Sequence, residues 1–223
     1  YLVFHWSLDF ASVPQVATLV TTIPIFVAIS NLLINKAPIT RGKIASGLCA
    51  VAGIALLITD GYVASLAGSG DSLLGIFLAT ACAAAVAAYS VLVRPIITIY
   101  GALRITAITM MLGGIGLWLG VGLFFGVWAA PSQLSGLETP ALAALLVIAF
   151  WNTTITQFLW IGGLAAVPDI TRGSYLFFLK PVIAALLAVL VLGQDLSATQ
   201  ILAIIVITGS VLGELLLDRK PED

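Results

Sequence analysis

Charge is what this chain has least of. Nine Lys and Arg with ten Asp and Glu make 9% of 223 residues, where a soluble domain carries about 25%. The net charge is −1 and there is no basic stripe, so no nucleic-acid partner is expected. Histidine occurs once, at His5, which excludes a histidine-cluster metal site. The two cysteines, Cys49 and Cys82, both fall inside apolar runs, so no disulfide framework is indicated. Phosphate-cradling glycine loops, metal-ligand spacings and a nucleophile–His–acid set are also missing. Neither an enzyme, nor a cofactor, nor nucleotide hydrolysis within the chain is expected. The opening YLVFHWSLDF has no Met, no basic leader and no cleavage pattern, so it is not a signal peptide. It reads as the last turns of a helix, Tyr1–Phe10, that starts upstream.

Apolar residues are what the chain has in excess: 61% of the total, with a mean hydropathy of +1.18. The fold class is an all-α polytopic membrane protein, with the lipid bilayer as its first partner. Windows of about 20 residues mark full spans near 13–35, 41–60, 73–94, 103–127, 141–163, 169–192 and 197–217. The separators carry breakers: Ala37-Pro38, Gly61, the run at 68–72, Pro131 to Pro140, Pro168, and Gly193 to Ser197. Cytoplasmic loops hold the excess of Lys and Arg. Lys36, Arg41, Lys43, Arg94, Arg104, Arg172, Arg219 and Lys220 all land on one side of seven alternating crossings, leaving only Lys180 inside the membrane. The opposite loops hold Asp9, Asp60, Asp71, Glu138 and Asp195. A cytoplasmic carboxyl terminus follows.

Three blocks repeat. FHWSLDFASVP at 4–14 matches FLWIGGLAAVP at 158–168, an offset of 154. TTIPIFVAISNLLIN matches FLKPVIAALLAVLVL, pairing Pro24 with Pro181 at 157, and CAVAGIALL matches IVITGSVLG, pairing Gly53 with Gly209 at 156. Five helices separate matching positions, and five is odd, so the copies cross in opposite directions: an inverted-topology repeat. The expected division is 1–60 for the end of a first repeat, 61–72 for an extracytoplasmic linker, 73–217 for a second repeat and 218–223 for a cytoplasmic tail. If the repeats are equal, roughly 85 residues and two and a half helices precede Tyr1, giving about ten spans in all.

These segments resemble the EamA repeat of the drug/metabolite transporter superfamily. PVIAALLAVLVLGQDLSATQILAIIVITGSVLGELLL (181–217) and PIFVAISNLLINKAPITRGKIASGLCAVAGIALL (24–57) carry the likeness: a mid-helix proline, an apolar run ending in Leu-Gly-acid, and a glycine-bearing last helix. The WN pair at 151–152 and GSY at 173–175 are similar to the amino-acid and aromatic amino-acid exporter branch. The resemblance implies inverted five-helix repeats, with the last seven and a half of ten helices present, in a bacterial inner membrane. It also implies export of amino acids or related compounds. The chain departs from the pattern where Gln194 stands in place of the usual Glu, and where Asn35-Lys36-Ala37 supplies no acid.

Lys180 and Pro181 stand side by side in an otherwise apolar span. An ammonium at that depth, roughly 18 Å into a core about 30 Å thick, costs at least about 2.5–3.5 kcal/mol. Either Lys180 contacts substrate or it is a neutral or snorkelling lysine at a helix interface; Glu214, near the end of the last helix, is not at its depth. In WNTTITQFLW, Asn152 with Thr156 and Thr153 with Gln157 make two α-helical i,i+4 lines beside Trp151. These residues suit either a substrate cavity or interhelical hydrogen bonds. Gln15, Thr18 and Thr22 lead to Pro24 on one face, and Ser174 and Tyr175 precede Lys180. They suit the two mouths of one path, with Pro24 and Pro181 as hinges; packing is the alternative for the Ser and Thr residues. His5 is a proton-coupling candidate, since histidine titrates near neutral pH, or a hydrogen-bonded bystander. No visible buried carboxylate supports proton coupling. The glycines of 113–126 and the alanines of 80–90 read as helix-packing elements. The function expected is a secondary transporter of small metabolites working by alternating access. The alternative is a carrier-fold accessory subunit with membrane-protein partners.

Overall fold

The computed structural model describes residues 2–59, 72–193 and 195–217. Of the expected linker at 61–72, all but Ser72 lies outside the described residues, as do Tyr1, Asp60, Gln194 and the tail 218–223 with Arg219 and Lys220. Two compact units share the chain: a larger one of residues 3–91 and 169–217, and a smaller one of residues 92–168. The larger unit joins segments from both expected repeats.

In the larger unit, α1 spans Leu2–Ser7 and α2 spans Val13–Val20, the latter capped by the Gln15 side chain, which accepts from the Ser12 amide at 2.8 Å. The expected span at 13–35 is not one helix. Pro24 has no N–H to give the Val20 carbonyl, and α2 stops there; α3 begins at Ile23 and runs to Asn35. Between them the Thr21 and Thr22 hydroxyls donate to the Thr18 and Leu19 carbonyls at 2.7 and 2.5 Å. The span at 169–192 breaks in the same way. α9 (Ile170–Ser174) passes through a 3₁₀ turn, Tyr175–Phe178, into α10 (Leu179–Leu192), with Pro181 in its first turn. The two proline helices also end alike, on left-handed residues Lys36 (φ 57°) and Gly193 (φ 64°), which stand at the same offset as the prolines.

α4 (Arg41–Thr59) and α11 (Ala198–Leu217) pack side by side. Ser46 meets Ser210 near one end, and Gly53 meets Ala203 and Ile207 farther along, so the two helices run antiparallel, as equivalent members of an inverted repeat must. Ala50, Ile54, Ala203, Ile207 and Val211 are wholly buried between them, with Phe178 against the same core. The first part of α5 (Ser72–Tyr100) buries Ala79, Ala83 and Ala87 completely, as the alanine run predicts.

The smaller unit holds three departures from expectation. α5 does not stop at residue 94 but continues through Pro95 to Tyr100, and the expected loop shrinks to Gly101, whose φ of 88° only glycine adopts readily. α6 (Ala102–Phe125) follows. Gly113, Gly114 and Gly116 are not packing positions here: among the described residues nothing lies within 4 Å of a Cβ placed at any of them. Gly122 instead seats the Trp128 ring, which stands edge-on to Trp118. After a 3₁₀ turn at Pro131–Gly136, α7 (Thr139–Val147) and α8 (Thr156–Ala166) are joined through a π-helical stretch, Ile148–Ile155.

Among the described residues, six helical stretches are long and apolar enough to cross a membrane: Gln15–Asn35, Arg41–Thr59, Leu73–Tyr100, Ala102–Phe125, Thr139–Ala166 and Ile170–Val191. The seventh expected span is α11, whose apolar part Ala198–Glu214 is shorter. No strand occurs among the described residues.

Candidate functional site

α9 is only five residues long, yet polar bonds tie it to three other helices of the larger unit. Asp169 caps it, accepting from the Thr171 and Arg172 amides at 2.9 and 3.3 Å. The same carboxylate takes the Lys43 ammonium of α4 at 2.6 Å. Arg172 reaches α11, placing its Nε 3.3 Å from Glu214 Oε1. Thr171 accepts from Asn31 of α3 at 3.2 Å, and Asn35 donates to Asn31 in turn at 2.8 Å. One residue past α9, the Tyr175 hydroxyl donates to the Lys43 carbonyl at 2.5 Å. Burial raises the Asp169 carboxyl, but the Lys43 ammonium and the Arg172 and Thr171 amides outweigh it, so the group titrates below its ordinary value.

Sequence reasoning placed several of these cations on one side of the membrane but did not pair them. The pairs join residues 42 and 126 positions apart, and no local pattern encodes such a match. Glu214 was the larger omission. Its side chain is 0% exposed, so the chain does hold a buried carboxylate, contrary to expectation.

The candidate residues around the two breaks are close-packed. Gln15, Thr18, Ser174 and Tyr175 are buried, and Pro24 fully so. Ser174 gives its hydroxyl to the Thr171 carbonyl at 2.7 Å and Thr22 to the Leu19 carbonyl. In this conformation the Gln15, Thr22 and Ser174 side chains bond the backbone of their own segments, and the Tyr175 hydroxyl bonds the backbone of α4. Lys180 differs: it is exposed on α10, as are Ile183 and Leu187 of the same helix, and its Nζ lies 3.8 Å from the centre of the Phe177 ring. A cation–π contact of this kind is worth about 0.5–2 kcal/mol. Pro181 follows it at the start of α10. His5 is exposed and stands edge-on to Phe4, with ring centres 5.3 Å apart.

In the smaller unit the WNTTITQ stretch does not form the expected i,i+4 lines. Thr153, Thr154 and Thr156 each donate to the carbonyl five residues back, at 2.9, 2.9 and 3.1 Å. In this wider π turn, neighbours fall at i+5, and the threonine hydroxyls are engaged with backbone. Trp151 is 65% exposed and Gln157 partly so; the side chain of Asn152 lies outside the described residues.

Apolar helices of membrane-crossing length, with two equivalent helices broken ahead of a proline, define the class: a polytopic helical membrane protein with paired discontinuous helices. The model of the EamA-like transporter family matches residues 73–215, and the chain belongs to that family. It is 23% identical over 209 residues to an uncharacterized transporter of Clostridium kluyveri, which covers 93% of this chain. The chain spans 65% of that relative's length. A solved structure titled only as the crystal structure of a protein superposes with a TM-score of 0.73 at 19% identity, over 97% of this chain and 73% of its own.

Proposed function

We propose that the chain works as a secondary transporter, exporting amino acids or related small polar metabolites by alternating access. The observation that supports this is the paired break. The Thr21–Thr22 and Tyr175–Phe178 interruptions precede Pro24 and Pro181, which stand at equivalent positions, and discontinuous helices in corresponding halves are where carriers of this architecture hold substrate. In the proposal Pro24 and Pro181 are hinges. Lys180 takes the substrate carboxylate, because it is an exposed cation on a membrane-spanning helix, next to the break, and an ionisable group at membrane depth marks a substrate or ion path by default. Gln15, Thr18, Thr22, Ser174 and Tyr175 become substrate contacts only when the helices around the breaks part. Trp151, Asn152, Thr156 and Gln157 form a polar face on the smaller unit. The ion pairs around α9 close the end of the larger unit that the cation census assigns to the cytoplasm. His5 stays a candidate proton group.

Counterflow of labelled amino acids in proteoliposomes tests this. The protein is expected to exchange at least one of them, and Lys180→Leu to slow that exchange at least about tenfold, the effect of losing about 1.4 kcal/mol of carboxylate binding. Absence of counterflow for all of them would sink the exporter and leave the accessory subunit. Equal rates would remove Lys180 from the site.

A further inference from the structure

A groove of about 420 Å³ runs between α4 and α11, lined by small side chains: Gly42, Ala45, Cys49, Gly209 and Gly213, with Ser46 and Ser210. Glu214 lines it too. Only one oxygen of that carboxylate is engaged: Oε1 takes the Arg172 guanidinium, while Oε2 is buried and no donor among the described residues reaches it. A buried carboxylate oxygen left without a donor is costly, more so than a neutral group would be. Two things relieve it: a proton on Oε2, or a donor brought in by a ligand. Oε2 has almost no accessible surface, so a molecule in the groove does not reach it without displacing helix, whereas a proton does. Asp9, Glu138 and Asp195 are exposed and Asp169 is partly so. Among the described residues Glu214 is therefore the one fully buried acid.

We propose that Glu214 is a proton-binding site, and that its protonation loosens Arg172 and with it the hold of α9 on α11, leaving Arg172 its longer bond to the Glu214 backbone carbonyl, at 3.4 Å. The groups facing it are Arg172 from α9, Tyr175 from the 3₁₀ turn and Cys49 from α4; other titratable groups on the neighbouring helices include Lys43 of α4, paired with Asp169, and Lys180 of α10. Protonation at Oε2 turns an anion into a neutral acid with its own donor. The guanidinium then loses its counter-charge, and the bond that holds α9 to α11 weakens. Lys43–Asp169 and Asn31–Thr171 still hold α9 to α4 and α3, so the loosening is confined to the α9–α11 side. As a consequence for transport, which alone rests on the proposed function, proton entry becomes a step that loosens one end of the larger unit.

The test is a pH titration of the purified protein followed by infrared spectroscopy of the protonated-carboxyl band. A band that titrates in the wild type, is absent in Glu214→Gln and returns shifted in Glu214→Asp supports the site. Above its midpoint the amplitude should fall about tenfold per pH unit, the signature of one proton. Hydrogen exchange of the Ile170–Phe178 amides, compared at equal pH, supplies the second readout. Glu214→Gln should exchange at least about tenfold faster than wild type at neutral pH, and wild type should approach it as the pH falls. No band assignable to Glu214 between pH 4 and pH 9, or equal exchange in both proteins at every pH, overturns the proposal. A titrating Glu214 without counterflow leaves the proton site standing and removes the transporter; counterflow without the titration does the reverse.

Discussion

Gly53 and Gly209 stand at equivalent places in the two repeats, yet the packing of α4 on α11 treats them differently, and the same substitution should have opposite signs at the two. A Cβ added at Gly53 would lie 2.7 Å from Ile207 Cγ1, 3.3 Å from Val206 Cγ1 and 3.4 Å from the Ala203 carbonyl oxygen. Carbon atoms rest about 3.5–4.0 Å apart, so the helices must part by about 1 Å or Ile207 must leave its rotamer. Overpacking of this size costs about 1–3 kcal/mol, against about 0.5–1 kcal/mol gained by replacing a mid-helix glycine. Gly53→Ala should therefore destabilise by about 0.5–2 kcal/mol. Gly209→Ala meets nothing within 4 Å among the described residues and should keep the gain of about 0.5–1 kcal/mol. Thermal unfolding in detergent reads both: a Tm lowered by about 1–8 °C for the first and raised by about 1–4 °C for the second. Truncating the clashing partner, in Gly53→Ala with Ile207→Ala, should give a double variant less damaged than the sum of its parts by about 1 kcal/mol or more. Equal shifts of one sign, or strict additivity in the double variant, would refute the antiparallel contact as described.

Two further outcomes follow from the α3 terminus and the α9 cap. Lys36 holds a left-handed backbone conformation where its counterpart is Gly193, so Lys36→Gly should raise stability by about 1 kcal/mol, readable in the same unfolding assay, while Gly193→Ala should lower it by a similar amount. Asp169 titrates below its ordinary value, so its contribution to stability is complete above the ordinary carboxylate range, about pH 4, and is lost as the pH falls through the lower folded value. Asp169→Asn should be less stable than wild type at pH 7, by about 1 kcal/mol or less for a partly exposed pair. That difference should vanish below the folded value, and its persistence in acid would show that the carboxylate charge is not the cause.

The apolar helices, the two equivalent prolines and the antiparallel relation of the glycine helices are legible in the sequence, because each depends on composition or on a residue with one backbone property. Length and apolarity mark a membrane helix whatever it touches, and a proline always removes one N–H. What was not legible depended on partners. Pro95 removes an N–H as Pro24 does, yet α5 runs through it, and the connection to α6 is made six residues later by a glycine that supplies a positive φ. The WNTTITQ stretch read as α-helical because periodicity cannot see three threonine hydroxyls binding carbonyls five residues back. Glu214 read as a terminal acid because its burial comes from α4 and its cation from α9, far away in sequence. Gly113, Gly114 and Gly116 read as a packing stripe because small residues permit close approach without requiring it. Of the candidate site, sequence singled out the two prolines and Lys180 but expected unbroken spans around them, and it missed the ion pairs that fasten α9.

The measurement that bears most directly on alternating access is counterflow with the α9 fastening locked. Cysteines replace Lys43 and Asp169, whose charged atoms meet at 2.6 Å, in a protein with Cys49 and Cys82 changed to Ser, and a short reducible bifunctional thiol reagent bridges them. If α4 and α9 must separate for substrate to pass, the bridged protein should lose amino-acid counterflow and regain it on reduction. Counterflow that continues at the unbridged rate would show that substrate passes without α4 and α9 separating, and would contradict the account.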